Sequence, residues 1–434
     1  MTFDVKQVRS HYPALAGPTV FLDGAAGTQS PQEVIEAIAG AYRCGTSNGG
    51  GQFAASARVD ALTQGARQAV ADLVGGDPGG VVLGPNMTTL TYRFARTLAD
   101  TWTAGDNVVV SRLDHDANVR PWVQLAARSG VEVRWAEADL DDGTLPVEQY
   151  DDLVDGRTRL VAFTAASNVL GTRPDVRAIT DRARSRGALS YVDGVHSTAH
   201  GVSDVAGYGC DFYATSAYKW AGPHVGAVIA DPVLLSALAP EKLASSTEQV
   251  PDRFEWGTPS FHNFAGVIAA VDHLAGLDDE ATGTRRQRLV TSLSAAERHE
   301  GALLKTLLDA LGADERVTLY GNAPRRTSTV YFTVDGFTPA QVAAHCAAAD
   351  INVWDGHNYA YEITAALGIR DRGSAVRVSL DHYTDSTDVT RLLDALALLG
   401  ALRPPLGGAG PGADDGSRRG HGPGRDRLPN EAQR

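Results

Sequence analysis

The forty residues from Ser190 to Ile229, SYVDGVHSTAHGVSDVAGYGCDFYATSAYKWAGPHVGAVI, decide how the chain is read. A short apolar run, Ala188 to Val192, stops on Asp193-Gly194, so a carboxylate is delivered to the end of a buried strand. Polar groups at strand ends mark ligand sites in α/β sheets. A second strand-like run, Asp211 to Tyr218, leads to Lys219 among small and turn-forming residues, and a third apolar strand, Gly226 to Ala230, follows.

Only four lysines occur, Lys6, Lys219, Lys242 and Lys305, among 39 cationic residues. Arginine serves surface and ion-pair roles but cannot form an imine. A lysine between buried strands suits an amine that loses its proton in a desolvated site and condenses with an aldehyde. Asp193 and Lys219 then take separate tasks: the carboxylate keeps a pyridinium nitrogen protonated, and the amine carries pyridoxal 5'-phosphate as a Schiff base. Each residue alone also reads as a turn residue or an ion pair; the pair carries the inference.

VDGVH followed by DFYATSAYKWAGP resembles the class V aminotransferase family of pyridoxal phosphate enzymes, and its cysteine desulfurase-like branch most closely. The likeness runs from about Phe21 to Leu396, with several motifs in order. It implies the aspartate aminotransferase-like α/β fold: a large domain with a mostly parallel seven-stranded sheet and a small α+β domain. The expected division is an N-terminal segment over 1–35 that joins the small domain, a cofactor domain over 36–278, the small domain over 279–403 and a disordered tail over 404–434. The tail expectation rests on its Gly, Pro and charge-rich, apolar-poor composition.

Outward from the central stretch, short apolar strands at Val81–Leu83, Asn107–Ser111, Val131–Trp135 and Leu160–Thr164 alternate with helical segments, which predicts a sheet covered on both faces. Upstream, Val20 to Gln29 reads as a short strand running into a flexible turn, which the resemblance folds over the active site; Ala26 is a candidate substrate contact there. Gly84-Pro85-Asn86-Met87-Thr88-Thr89 leads into an apolar-periodic helix, whose first amides form an anion seat. On the resemblance, Asn86 and Met87 map onto the phosphate, His115 covers the face of the pyridine ring and serves catalysis, and Asn168 in SNVLGT lies near the ring oxygen. His196 is placed to reach the same oxygen, and Ser216 and Tyr218 to complete the phosphate cup. Thr258 in RFEWGTPS corresponds to a residue that reaches the phosphate of a neighbouring subunit, which implies a homodimer with shared sites.

The resemblance casts Arg377 as the two-pronged grip on a substrate carboxylate, hence an amino-acid-like substrate. In Trp354-Asp355-Gly356-His357-Asn358-Tyr359, related desulfurases carry a cysteine where Tyr359 stands, and a phenol cannot store a persulfide. Desulfuration by that route is therefore disfavoured. A C–S lyase acting on an S-conjugated cysteine needs no cysteine, and such enzymes occur in actinobacterial sulfur-containing natural-product routes, antibiotic biosynthesis among them. Trp354 and Tyr359 suit a bulky S-substituent. Transamination, a decarboxylating deamination and a catalytically idle homologue remain open, in that order, with desulfuration between the last two.

The net charge of -13 disfavours nucleic acid as a partner. No apolar run is long enough to span a membrane, and the charged N-terminus lacks a secretory core, so the expected compartment is the cytoplasm. Cys44, Cys210 and Cys346 are too few and scattered for a disulfide framework, and no metal is expected; Cys346 reads as core packing.

Overall fold

The computed structural model describes residues 3–401, so the expected tail at 404–434 lies outside the described residues. Strands in chain order are β1 (Val20–Phe21), β2 (Val81–Gly84), β3 (Asn107–Ser111), β4 (Glu132–Ala136), β5 (Thr158–Thr164), β6 (Leu189–Asp193), β7 (Phe212–Ser216), β8 (Gly226–Ala230), β9 (Val317–Tyr320), β10 (Thr329–Val334), β11 (Ile351–Asn352), β12 (Trp354–Gly356) and β13 (Ala375–Ser379). The large sheet has seven strands in the order β2-β8-β7-β6-β5-β3-β4. Its β3, β4, β5, β6 and β7 pair parallel, and β8 runs against both neighbours.

The valine-rich strands are buried on both faces, as a sheet sandwiched between helices requires. Alternation along each strand divides its side chains between two cores. Val109, Val161, Phe163, Val192 and Tyr213 pack into one apolar cluster. Val108, Val110, Leu160, Ala162, Tyr191 and Phe212 pack into the other.

A third cluster holds Val330, Phe332, Val376 and Val378 of the four-stranded antiparallel sheet β12-β13-β10-β9. The helix Arg285–Gly312 serves two cores, because Leu289, Leu293 and Ala296 join the first cluster while Leu304, Leu307 and Leu311 join the third. A Thr284/Gln287 capping box starts it.

Two local expectations change. The run Asp211 to Tyr218 is a strand only as far as Ser216; Ala217–Lys219 tightens into a 3-10 turn that lifts the lysine off the sheet edge. Val20–Phe21 pairs parallel with Ile351–Asn352, and the segment after it is held by long-range hydrogen bonds rather than flexible.

Candidate active site

Parallel register sets the carboxyl ends of the central strands side by side: Thr164 lies opposite Asp193, and Asp193 opposite Ala214. Asp193 is buried, and one carboxylate oxygen accepts from the Val195 amide at 2.9 Å. Burial raises its pKa to about 6, against the lowering pull of that amide and of Lys219.

Lys219 donates through Nζ to the Ala25 carbonyl. The N-terminal segment is further tied to this turn where Thr28 N–H donates to the Tyr218 carbonyl at 2.9 Å and the Ala221 amide donates to Thr28 Oγ1 at 2.8 Å. Burial lowers the Lys219 pKa to about 7, Arg377 adds to the effect, and Asp193 and Asp381 oppose it. The amine is thus neutral in substantial part near pH 7, the form a nucleophile or base requires.

His115 follows β3, and its Nδ1 accepts from the Ala117 amide at 3.1 Å, which leaves the proton on Nε2. Burial drives its pKa down to about 3, so the ring stays neutral. Tyr359 packs over it with ring centroids 5.3 Å apart. Tyr359 is 67% exposed and has φ of 59°, and its carbonyl accepts from the Asp116 amide at 2.8 Å.

Arg377 is 4% exposed and donates to the Asn168 carbonyl at 3.1 Å. It has no salt-bridge partner among the described residues, and burial lowers its pKa to about 10. Asp23 lies close enough to interact with it electrostatically but forms no salt bridge, so a buried guanidinium with donors to spare is left to pull on a carboxylate ligand. Asn168 donates to the Asn358 carbonyl at 2.8 Å, fastening the strand-end loop to the roof.

At the opposite end, the helix Met87–Ala99 opens on the cavity. The amides of Met87, Thr89 and Leu90 are bonded to Ser216 Oγ, Asn86 Oδ1 and the Asn86 carbonyl. Thr88, which lines the cavity, has no such amide bond among the described residues. Gly226 permits the approach of this helix start to β8, since a Cβ there would lie 2.3 Å from the Asn86 carbonyl carbon.

These residues enclose two adjoining spaces. The inner is walled by Met87, Thr88, His115, Asp193, His196 and Lys219, with Asn168 and Tyr218 beside them. The outer, of about 400 Å³, is reached by Ala26, Trp354, Tyr359 and Arg377, with His115, Asn168, Tyr218 and Lys219 shared between the two.

Two expected contacts, Asn86 and Ser216, do not line the inner cavity, and Thr258, expected to reach a neighbouring subunit, lies apart from it in this chain. Asn86 spends its side chain on capping Thr89 and does not line the inner cavity. Ser216 stands behind Met87, holding its amide at 3.0 Å. Thr258 lines a separate hollow with His224 and Trp256. His196 turns Nε2 to Thr327 and Thr329 Oγ1 at 3.1 and 2.9 Å, across to the small sheet, and its Nδ1 has no partner.

Sequence reasoning missed Thr88, Thr164 and Val195 as lining residues, though Thr88 lay inside the quoted glycine turn. The residues present fit pyridoxal phosphate. The inner wall carries two buried polar atoms without partners, Asn168 Oδ1 and His196 Nδ1. A carboxylate, an amine and a helix start surround the same space, as a flat group with a ring nitrogen, an aldehyde and a phosphate demands.

The family model for aminotransferase class-V matches residues 20–392. An uncharacterised protein of Mycobacterium tuberculosis is 35% identical over 404 residues, covering 92% of this chain and 100% of its own length. A cysteine desulfurase of Klebsiella pneumoniae is 33% identical over 420 residues, covering 91% of this chain and 98% of its own. Among solved structures, a cysteine desulfurase from Escherichia coli superposes with a TM-score of 0.82 at 27% identity, over 93% of this chain and 100% of the other. One from Thermococcus onnurineus superposes at 0.83 with 26% identity, over 93% and 99%.

Proposed function

We propose that this chain, which belongs to the aminotransferase class-V family and is a pyridoxal phosphate enzyme of its cysteine desulfurase-like branch, cleaves the C–S bond of an S-conjugated cysteine by β-elimination. The products are a thiol and, after hydrolysis, pyruvate and ammonia. One observation carries this reading: Tyr359 stands at the roof position where a sulfur-accepting thiol is needed, and no cysteine lines either cavity. Cys346 is buried, and burial raises its pKa to about 11. Cys210 is raised to about 12, so neither supplies a thiolate at neutral pH.

When bound, the cofactor supplies the electron sink that makes the α-hydrogen of an amino acid acidic. With the cofactor bound, Asp193 would hold a proton at the ring nitrogen, His115 would cover the ring, and His196 and Asn168 would face the ring oxygen. The Thr88 amide, behind it Met87 and Ser216, would receive the phosphate. Arg377 grips the substrate carboxylate and orients the α-carbon toward Lys219 Nζ. Lys219 removes the α-proton, the C–S pair departs on sulfur, and the thiolate takes up a proton. Trp354, Tyr359 and Ala26 border the room for the S-substituent. A second copy that brings its Thr258 to the phosphate would complete the site as a homodimer.

The names of the relatives favour a second reading, cysteine desulfuration. A single experiment separates the readings: the holoenzyme is incubated with S-alkyl cysteines, S-aryl cysteines and free cysteine, with thiol, pyruvate, alanine and the visible spectrum followed together. Equal amounts of thiol and pyruvate, unchanged in Cys44→Ser and Cys346→Ala and lost in Lys219→Ala, support the lyase. Alanine with protein-bound sulfur from free cysteine would establish desulfuration. Conversion of the cofactor to its amine form without thiol would establish transamination.

A further inference from the structure

Apart from the site lies a hollow of about 400 Å³ lined by His11, Glu33 and His273, with Gln7 and Asp272 among its other walls. His11 closes the helix Val5–Ser10, Glu33 is in the first turn of the helix Gln32–Cys44, and His273 is in the last turn of Phe261–Leu274. The Gln32 amide donates to the His11 carbonyl at 2.8 Å, which holds the first two side by side. His11 Nδ1 touches Glu33 Oε1. His273 Nδ1 lies 4.0 Å from Glu33 Oε2, beyond a hydrogen bond, and its side chain is 6% exposed.

The other nitrogen of His273 is committed. His273 Nε2 and His382 Nε2 flank the phenol oxygen of the buried Tyr12 at 2.9 and 2.6 Å. A phenol has one proton, so one imidazole donates to it and the other accepts from it. A proton on His273 Nδ1 would face Glu33 Oε2 at 4.0 Å, beyond a hydrogen bond. The satisfied arrangement is His273 Nε2–H to Tyr12 to His382, and it aims the Nδ1 lone pair into the hollow. A ligating histidine is oriented in just this way by a partner on its far nitrogen.

We propose that His11, Glu33 and His273 form a divalent transition-metal site, with zinc the fitting ion and water completing its coordination. Two imidazoles and a carboxylate are a donor set that suits zinc. The three ligand atoms lie within 4.8 Å of one another, whereas ligands at the roughly 2.0–2.1 Å bond lengths of zinc sit at most about 4 Å apart. Closing that difference falls to His11 and Glu33, whose side chains are 40% and 46% exposed and can turn. His273 is the fixed ligand. The ion would clamp the first two helices to the helix Phe261–Leu274 and, through Tyr12 and His382, to the segment that follows Arg377.

The test is calorimetric titration of the tag-free, chelator-treated holoenzyme with zinc chloride, repeated with cobalt chloride as an optical probe. One equivalent per chain is expected, with affinity reduced by more than tenfold in His11→Ala and in Glu33→Gln. Tyr12→Phe, which keeps the ring and removes the orienting hydroxyl, should weaken binding by roughly 10-fold or more. Absence of saturable binding, or equal affinity in wild type and Glu33→Gln, overturns the proposal and leaves His11 and Glu33 an ion pair. Circular dichroism of each variant separates lost binding from lost folding, and a variant that is folded yet binds normally counts against the site.

Discussion

The carboxylate of Asp381 occupies the space a side chain on residue 24 would take: a Cβ on Gly24 would lie 1.7 Å from Asp381 Oδ2. Both sit beside the lysine turn, Gly24 just before the carbonyl that Lys219 meets and Asp381 close enough to raise the lysine pKa. Gly24→Ala must therefore displace a buried acid whose Oδ2 already lacks a partner. A loss of about 1–3 kcal/mol is expected from overpacking. Asp381→Ala should restore most of it in the double variant, and denaturant unfolding of all four proteins measures that coupling.

The pKa of Lys219 gives a pH signature in cofactor-free protein. Its folded value of about 7 lies below the ordinary 10.5, so between these values the unfolded chain binds more protons and stability rises with pH. The contribution is complete above the unfolded value and is lost as pH falls through about 7. Lys219→Met removes this penalty. It should be more stable than wild type at pH 6.5, on the order of 4–5 kcal/mol, with the gap narrowing to about 1 kcal/mol by pH 10; an equal gap at both pH values in thermal melts would contradict the assignment.

Removing the charge of Arg377 removes the carboxylate grip. Charge-assisted hydrogen bonds contribute about 1.5–3 kcal/mol, so Arg377→Gln should raise KM for an amino-acid substrate by roughly 10- to 150-fold. The matching amide of that substrate should lose its disadvantage. Steady-state kinetics on the acid and amide pair reads both.

Tyr359 offers an aromatic face at the rim, packed on His115. Aromatic pairs add about 0.5–1.5 kcal/mol beyond area burial. Tyr359→Ala should lower kcat/KM for S-aryl cysteines by roughly 2- to 12-fold relative to S-methylcysteine. A uniform fall across both substrates would show that the residue only shapes the roof.

The strand-end carboxylate and lysine were legible because a parallel sheet needs uninterrupted apolar runs, and a polar residue at the end of such a run stands out. Val108 to Val110 and Val161 to Phe163 announce both faces by composition alone. Asn86 is harder to read, because asparagine before a helix has a local use as a cap that competes with any ligand, and sequence does not say which wins. The pairing of Val20 with Ile351 was not legible, since two-residue strands carry no periodicity. Nor was the reach of His196 to Thr327 and Thr329, which depends on how two sheets dock. The grouping of His11, Glu33 and His273 has no spacing signature, because three separate helices supply it.

The parallel pairing of Val20–Phe21 with Ile351–Asn352 sets an order of events during synthesis. Ala25 and Thr28, which hold the lysine turn, are translated early, yet the strand that anchors their segment is made more than three hundred residues later. The strands of the seven-stranded sheet all lie between Val81 and Ala230, so they are translated before that anchor exists. A nascent chain stalled before residue 351 should thus leave the segment around Ala25 and Thr28 open to limited proteolysis, and one released past β13 should protect it.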